Sequence, residues 1–369
     1  MVFLNLICYN NGMVANNKQL KQKIAKKDLK IAVVGGGNIG KALSTTLVSL
    51  GYDVELVCRD NHRAIKIDNS YAFEIDGDFG HKSYLVPFVT KIEKLTTKKD
   101  IIIFTTKSFD LVNRVGKAIS QLTPKGSIVT IQNVFTIDQL FKLIPDEVSV
   151  CMMCDFASLT IKKVTYVRDT NGITLGCYNK KAINRMKLIG KIFSEFTRVE
   201  YTNDVMGFTL GRNIINSAIS ILGGISGLRL KDILNDRNGR FLFCKIIEES
   251  IQLSKIYKIK VIPYNYQLDY YKFVDKSISG WFYRYGIIKL LKKQNGNIKS
   301  SALHDLENKE RTEITSLIDR LLDKAKKANL KLKYLSTLNG ILKEIEEDKR
   351  NIDADVFYDK KLIDLDRRK

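Results

Sequence analysis

Ile31-Ala32-Val33-Val34-Gly35-Gly36-Gly37-Asn38-Ile39-Gly40 reads as a buried strand that breaks into a glycine turn and opens a helix. The small and β-branched run suits a strand covered on both faces. In the G-x-G-x-x-G that follows, Gly35 allows the tight turn, Gly37 lets backbone N–H groups approach a pyrophosphate, and Gly40 lets the helix pack close to the strand. A phosphate placed there meets the unpaired N–H donors and positive end of the helix. The stretch therefore implies a dinucleotide, held by Gly35, Gly36, Gly37, Asn38, Ile39 and Gly40.

Outward from the turn, β-branched runs alternate with helical stretches: strand 30–35, helix 38–50, strand 53–58, strand 101–106, helix 109–121, strand 127–131, helix 136–143 and strand 147–152. This alternation implies βαβ units and a parallel sheet. Strand-like pieces at 164–168, 173–175 and 198–201 flank one more helix near 181–196. Beyond about residue 203 the pattern turns helical, with Ile314, Leu317, Ile318, Leu321, Leu322, Ala325 and Ala328 falling on one face. The expected fold is α/β: a Rossmann-type parallel-sheet domain over 29–202, then an all-helical domain over 203–350. Residues 1–28 read as a mobile extension and 351–369 as a charged tail to which no structure is assigned. Gly223-Gly224, Pro263 and Gly296 mark turns of the helical part.

A chain of 369 residues is long enough for two cores, since single cores rarely grow past about 250–300 residues. The net charge of +21 is spread along the whole chain, with no basic tail or aromatic-interleaved stripe, which argues against a nucleic-acid partner. A field of that sign draws in anionic metabolites and phosphorylated cofactors. Among six scattered cysteines only Cys151-Met-Met-Cys154 has motif spacing; without a second Cys or His pair it reads as two buried strand thiols rather than a metal site. The apolar run Val2 to Cys8 is too short to span a membrane and lacks a signal pattern. A soluble, cytoplasmic protein without bound metal or membrane contact is expected.

The second strand ends at Arg59-Asp60, where an acid would bind a ribose 2′-hydroxyl and an arginine a 2′-phosphate. Both types are present, and the cluster of Arg59, Arg63 and Lys66 favours NADP. Further strand ends lead into Thr106-Lys107-Ser108 and Gln132-Asn133, where ligands sit in parallel sheets. Lys107 and Asn133 are thus candidates, against a solvated lysine and a turn asparagine.

These pieces, together with Asn171-Gly172-Ile173-Thr174-Leu175-Gly176 and Ser300-Ser301-Ala302-Leu303-His304-Asp305-Leu306-Glu307-Asn308-Lys309-Glu310-Arg311-Thr312-Glu313-Ile314, resemble the ketopantoate reductase (2-dehydropantoate 2-reductase) family. The last segment is similar to that family's S-S-M-x-x-D…R-x-T-E-I pattern, and the resemblance runs from about residue 30 to about 348. It implies hydride transfer from NADPH to a 2-oxo carbon, with a proton passed to the forming alkoxide. It also implies that Arg59 and Lys107 serve the adenosine phosphate and ribose, and that Asn133 and Ala157 lie along the nicotinamide half. Asn216, Ser301 and Glu313 would contact substrate or cofactor in an interdomain cleft. On the residues alone, Ser301 and Glu313 also fit a helix-capping pattern.

One departure stands out. The family's proton donor is a lysine two turns before the asparagine matched by Asn216, and the stretch Val205 to Asn216 contains none; Phe208 and Arg212 stand eight and four residues back. The family's tryptophan beside that lysine is absent too, and Val134 replaces the glycine after Asn133. Arginine stays protonated and is a poor proton donor, but it can bind a carboxylate or steady an alkoxide. The expected function is NADPH-dependent reduction of ketopantoate to pantoate in pantothenate biosynthesis. The alternatives are a reductase of another 2-oxo acid or imine, and a silent dinucleotide-binding homologue. Expected partners are a small 2-oxo acid and, as an option, a second copy of the chain.

Overall fold

The computed structural model describes residues 26–59, 65–107, 111–131, 140, 142–263, 268–297 and 299–367. Residues 136–139 and 141 of the expected helix 136–143, together with Asp60, Arg63, Asn133 and residues 1–25 of the extension, fall outside these. Lys26–Asp28 form a 3-10 turn, and the Lys26 ammonium pairs with Glu195, so the expected extension is anchored at its end.

The first domain carries β1 (Lys30–Val34), α1 (Asn38–Ser49), β2 (Asp53–Val57), β3 (Ile65–Ile67), β4 (Ser70–Gly77), β5 (Lys82–Val89), β6 (Lys99–Phe104), α2 (Val112–Ile119), β7 (Leu122–Thr130), β8 (Ser149–Ile161), β9 (Val164–Gly176), α3 (Ile183–Phe193) and β10 (Val199–Thr202). The helical part carries α4 (Val205–Ser226), α5 (Leu230–Asn235), α6 (Arg237–Ile256), α7 (Tyr270–Val274), α8 (Ile278–Asn295), α9 (Ser301–Glu307), α10 (Glu313–Lys327), α11 (Lys333–Glu346) and α12 (Lys360–Arg367).

The strands form one sheet in the order β10-β9-β8-β7-β6-β1-β2-β5-β4-β3. β1 lies between β2 and β6, parallel to both, and alternate side chains fill cores on opposite faces: Val33 on one, Ala32 and Val34 on the other. β3 to β5 are antiparallel additions that the βαβ reading did not foresee. β8 and β9 form an antiparallel hairpin much longer than the expected strand pieces. β9 also pairs in parallel with β4, from Glu74↔Val164 to Gly77↔Val167, which closes the sheet on itself at this end. Gly172 permits the bend farther along β9: it has φ +77°, and a Cβ there would lie 2.1 Å from the Arg198 carbonyl oxygen.

Cys151 and Cys154 lie three apart on β8 and face opposite sides, Cys151 toward the helical domain and Cys154 into the sheet core. They cannot share a ligand. Burial pushes both thiols up to about 12.

The helical domain is built around α4, long and apolar enough by composition to cross a membrane but packed inside a shell of helices. Two expectations are corrected here. Gly223 and Gly224 lie inside α4 rather than in a turn, because α9 packs directly on them: a Cβ at Gly223 would sit 2.7 Å from the Ser300 Oγ, and one at Gly224 3.2 Å from the Ala302 Cβ. The turn follows at Gly227, with φ +73°. The charged end also has structure. Val356 and Phe357 are buried in the helical core, a 3-10 turn spans Ala354–Tyr358, and α12 follows. A few apolar side chains among charges, Leu362 of α12 included, dock that segment.

Candidate active site in the interdomain cleft

A cleft of about 960 Å³ opens beside the glycine turn, lined by Gly37 and Asn38, β4, the tip of the β8–β9 hairpin, Lys107 and the outer face of α9. The turn is closed toward the protein and open toward the cleft. A Cβ at Gly35, whose φ is +123°, would meet the Thr105 Oγ1 at 2.6 Å, and one at Gly40 would lie 1.8 Å from the Gly35 carbonyl oxygen. Among the described residues a Cβ at Gly37 would meet nothing within 4 Å. Gly37 caps α1 without a side-chain hydrogen bond, so the helix presents its first N–H donors toward this space. These are the shape and donor set that a pyrophosphate requires.

The remaining turn residues divide by role. The Ile39 side chain packs on the sheet core. The Asn38 amide donates to the Ser158 carbonyl at 3.2 Å while its Oδ1 accepts from the Thr160 Oγ1 at 2.7 Å, tying the turn to β8. Ala157 lies on the same strand, opposite Arg168. Arg59 is exposed just past the end of β2. The preceding Cys58 packs against Gly36, where a Cβ would lie 2.7 Å from the Cys58 Cβ.

Lys107 crosses the cleft. Its Nζ lies 3.3 Å from the Asp305 Oδ2, 3.7 Å from the Glu310 Oε2 and 3.2 Å from the Arg311 carbonyl, so the end of β6 meets α9 directly. Burial pushes the Asp305 carboxyl up, and Lys107 draws it back.

Ser301 and Asp305 stand one turn apart on α9, and the Ser301 Oγ lies 3.4 Å from the Ser220 Oγ on α4. Arg212, Asn216 and Ser220 follow one another at i, i+4 and i+8 along that helix. Capping falls to their neighbours: Ser300 accepts the Leu303 N–H at 3.1 Å, and Thr312 accepts the Thr315 N–H at 3.4 Å. This leaves the Ser301 side chain exposed and Glu313 half-buried at the start of α10. Glu313 partly offsets the effect of burial on Arg320.

Arg212 is engaged by the sheet. Its guanidinium lies 3.1 Å from the Asp155 Oδ1 and donates to the Cys154 carbonyl, at an irregularity in the β8–β9 register. Phe208 is buried with Val205, Cys151 and Met153. Burial raises the Asp155 pKa, and Arg212 opposes the rise. A raised value means that the folded protein holds this proton more tightly than the unfolded chain. The group therefore favours folding below the ordinary carboxylate value near about pH 4, and this contribution is lost as pH rises through the raised value. Wild type is expected to lose stability relative to Asp155→Asn as pH rises above about 4, measured as urea midpoints of the two proteins; parallel profiles would contradict the raised value.

Sequence reasoning missed Asp155, Ser220 and the cleft lysines Lys41, Lys162 and Lys163. The spacing of Ser220 from Asn216 was a usable signal. The others depend on contacts that only the folded sheet creates.

The chain matches the family model described as ketopantoate reductase PanE/ApbA over residues 31–180, and the model of that family's C-terminal domain over residues 204–346. The chain belongs to the ketopantoate reductase family. Its similarity to 2-dehydropantoate 2-reductase of Pyrococcus horikoshii is 24% identity over 315 residues, covering 82% of this chain and 92% of the relative. A solved PanE/ApbA family ketopantoate reductase from Ralstonia eutropha JMP134 has the same fold, with TM-score 0.71, 16% identity, and 88% and 100% of the two chains covered. A D-mandelate dehydrogenase solved with NADH and anilino(oxo)acetate is likewise similar in fold, with TM-score 0.72, 16% identity, and 87% and 99% covered. As a ketopantoate reductase family member the chain is an oxidoreductase. The expected Rossmann-type domain followed by a helical domain is the architecture observed.

Proposed function

We propose that this chain reduces a small 2-oxo acid with NADPH, ketopantoate first. The observation that carries this reading is the Lys107–Asp305 contact, which sets the glycine turn and the His304 to Glu310 part of the C-terminal signature on opposite walls of one cleft. The nicotinamide, when bound, supplies a hydride. The residues of the Gly35–Gly40 turn would hold its pyrophosphate, Arg59 the 2′-phosphate, Lys107 the ribose region, and Asn133 and Ala157 the nicotinamide half.

Asn216 and Ser301 are suited to donate hydrogen bonds to a carboxylate or hydroxyl. Arg212, paired with Asp155, would supply a fixed positive charge to the oxygen on which negative charge develops, a form of electrostatic stabilisation that needs no proton transfer. Glu313 would hold a ribose or relay the proton. We further propose a soluble cytoplasmic enzyme feeding pantothenate formation.

A second reading rests on α4, which carries no lysine and whose Arg212 is committed to β8: a different 2-oxo acid, or an imine, is the substrate. Consumption of NADPH is measured with ketopantoate and with a panel of other 2-oxo acids, each with and without ammonia or an alkylamine. Highest kcat/KM on ketopantoate supports the first reading. Preference for another acid, or a requirement for amine, transfers the assignment to the second, and no turnover on any acid leaves a binding protein.

A further inference from the structure

The β8–β9 connection is a two-residue turn made of Lys162 and Lys163, with φ +47° and +77°. Two consecutive left-handed residues define the hairpin turn for which Asn-Gly is the favoured pair, because a Cβ is disfavoured at both positions. Here both positions carry a long cationic side chain. The tip is also fixed in place. Thr160, two residues before it, donates to Asn38 on the glycine turn, and Val164, directly after it, pairs with Glu74 on β4. Both lysines line the cleft together with Gly37.

The other cleft lysines are engaged: Lys107 with Asp305 and Glu310, and Lys41 over the Phe73 ring at 5.8 Å. Among the described residues Lys162 and Lys163 enter no ion pair. An anchored turn thus holds two exposed ammonium groups next to a helix N-terminus that faces the same cleft.

We propose that Lys162 and Lys163 form a clamp over the pyrophosphate of the bound dinucleotide, a role that rests on the cleft being a nucleotide site. The pyrophosphate is favoured over the 2′-phosphate because the tip is tied to Asn38, the first residue of α1, where a G-x-G-x-x-G turn holds phosphate. Arg59, the candidate for the 2′-phosphate, follows Cys58 at the end of β2 and does not line the cleft with the tip. Lysine suits the task, as a mobile point charge serving a diffuse dianion.

The test pairs two variants of the full chain. Lys162→Asn/Lys163→Gly installs the relaxed turn, and Lys162→Gln/Lys163→Gln removes the charges while keeping the strained one. Calorimetric Kd values for NADPH and NADH are read beside the thermal midpoint. The clamp predicts that both variants weaken both cofactors by a similar factor, about tenfold, the order of one charge-assisted hydrogen bond, and that only the Asn-Gly variant gains thermal stability. Unchanged Kd values overturn the proposal, and so does a loss confined to NADPH, which would assign the tip to the 2′-phosphate. Failure of the underlying reading is separately visible: wild type would bind neither cofactor in the same titration, and the clamp would fall with it.

Discussion

Gly37→Ala is expected to cost the protein its dinucleotide, by roughly 100-fold or more in affinity, while leaving its thermal midpoint unchanged. The expectation follows from asymmetry within the turn. The Gly37 Cβ position is open, its φ of −72° is ordinary for alanine, and the residue lines the cleft. The added methyl therefore meets no atom of the described residues but occupies the approach of a phosphate to the N–H donors of α1, where each lost charge-assisted hydrogen bond is worth about 1.5–3 kcal/mol.

Gly40→Ala is the contrasting variant. Its methyl would lie 1.8 Å from the Gly35 carbonyl oxygen and 2.8 Å from the Thr105 Oγ1, so the turn itself must move, at a cost of about 1–3 kcal/mol. Titration with NADPH beside thermal melts separates the two. If Gly37→Ala bound cofactor as tightly as wild type, the phosphates would not sit on the cleft face of the turn.

Lys99→Ala is expected to lower stability by about 3–5 kcal/mol. Lys99 at the start of β6 is 1% exposed and pairs at 2.8 Å with Glu55 of β2, itself 5% exposed. The pair spans β1 at Ala32, whose small side chain stands opposite Glu55 in the register. Glu55 also accepts 3.2 Å hydrogen bonds from the Thr96 N–H and Oγ1. Removing the ammonium leaves a buried carboxylate with only these neutral donors, and an uncompensated buried charge is far more costly than a missing pair. Lys99→Met/Glu55→Leu should therefore recover most of the loss. Urea unfolding of the single and double variants decides; a double variant no more stable than Lys99→Ala would show that packing, rather than the stranded charge, governs this site.

How far the fold was legible depends on how local its signals are. The glycine turn declares itself in consecutive residues, and so does the amphipathic face of α10. The β4 strand was also written in the sequence, since Tyr71, Phe73 and Ile75 alternate with less buried neighbours. It went unread because an antiparallel insertion breaks the βαβ rhythm. The β8–β9 hairpin was underestimated for a chemical reason: its turn is Lys-Lys where the usual signal is Asn-Gly. Gly223 and Gly224 misled in the opposite direction, since small size matters there for helix contact.

In the site, Asn216 and Ser301 were proposed from the family resemblance and Arg212 from its place one turn before Asn216 on the same helix. The Asp155 partner of Arg212 and the crossing of Lys107 to Asp305 arise from strand and helix placement that no spacing encodes.

The central claim, hydride transfer in this cleft to the carbonyl carbon of a 2-oxo acid, is tested most directly by isotope transfer. The protein is incubated with ketopantoate and NADPH deuterated at each face of nicotinamide C4 in turn, and the pantoate is analysed by mass spectrometry. The account predicts one deuterium at the new C–H bond from one of the two labelled faces and none from the other. Pantoate without deuterium from either face, or no reduced product from any 2-oxo acid while NADPH binds, would contradict it.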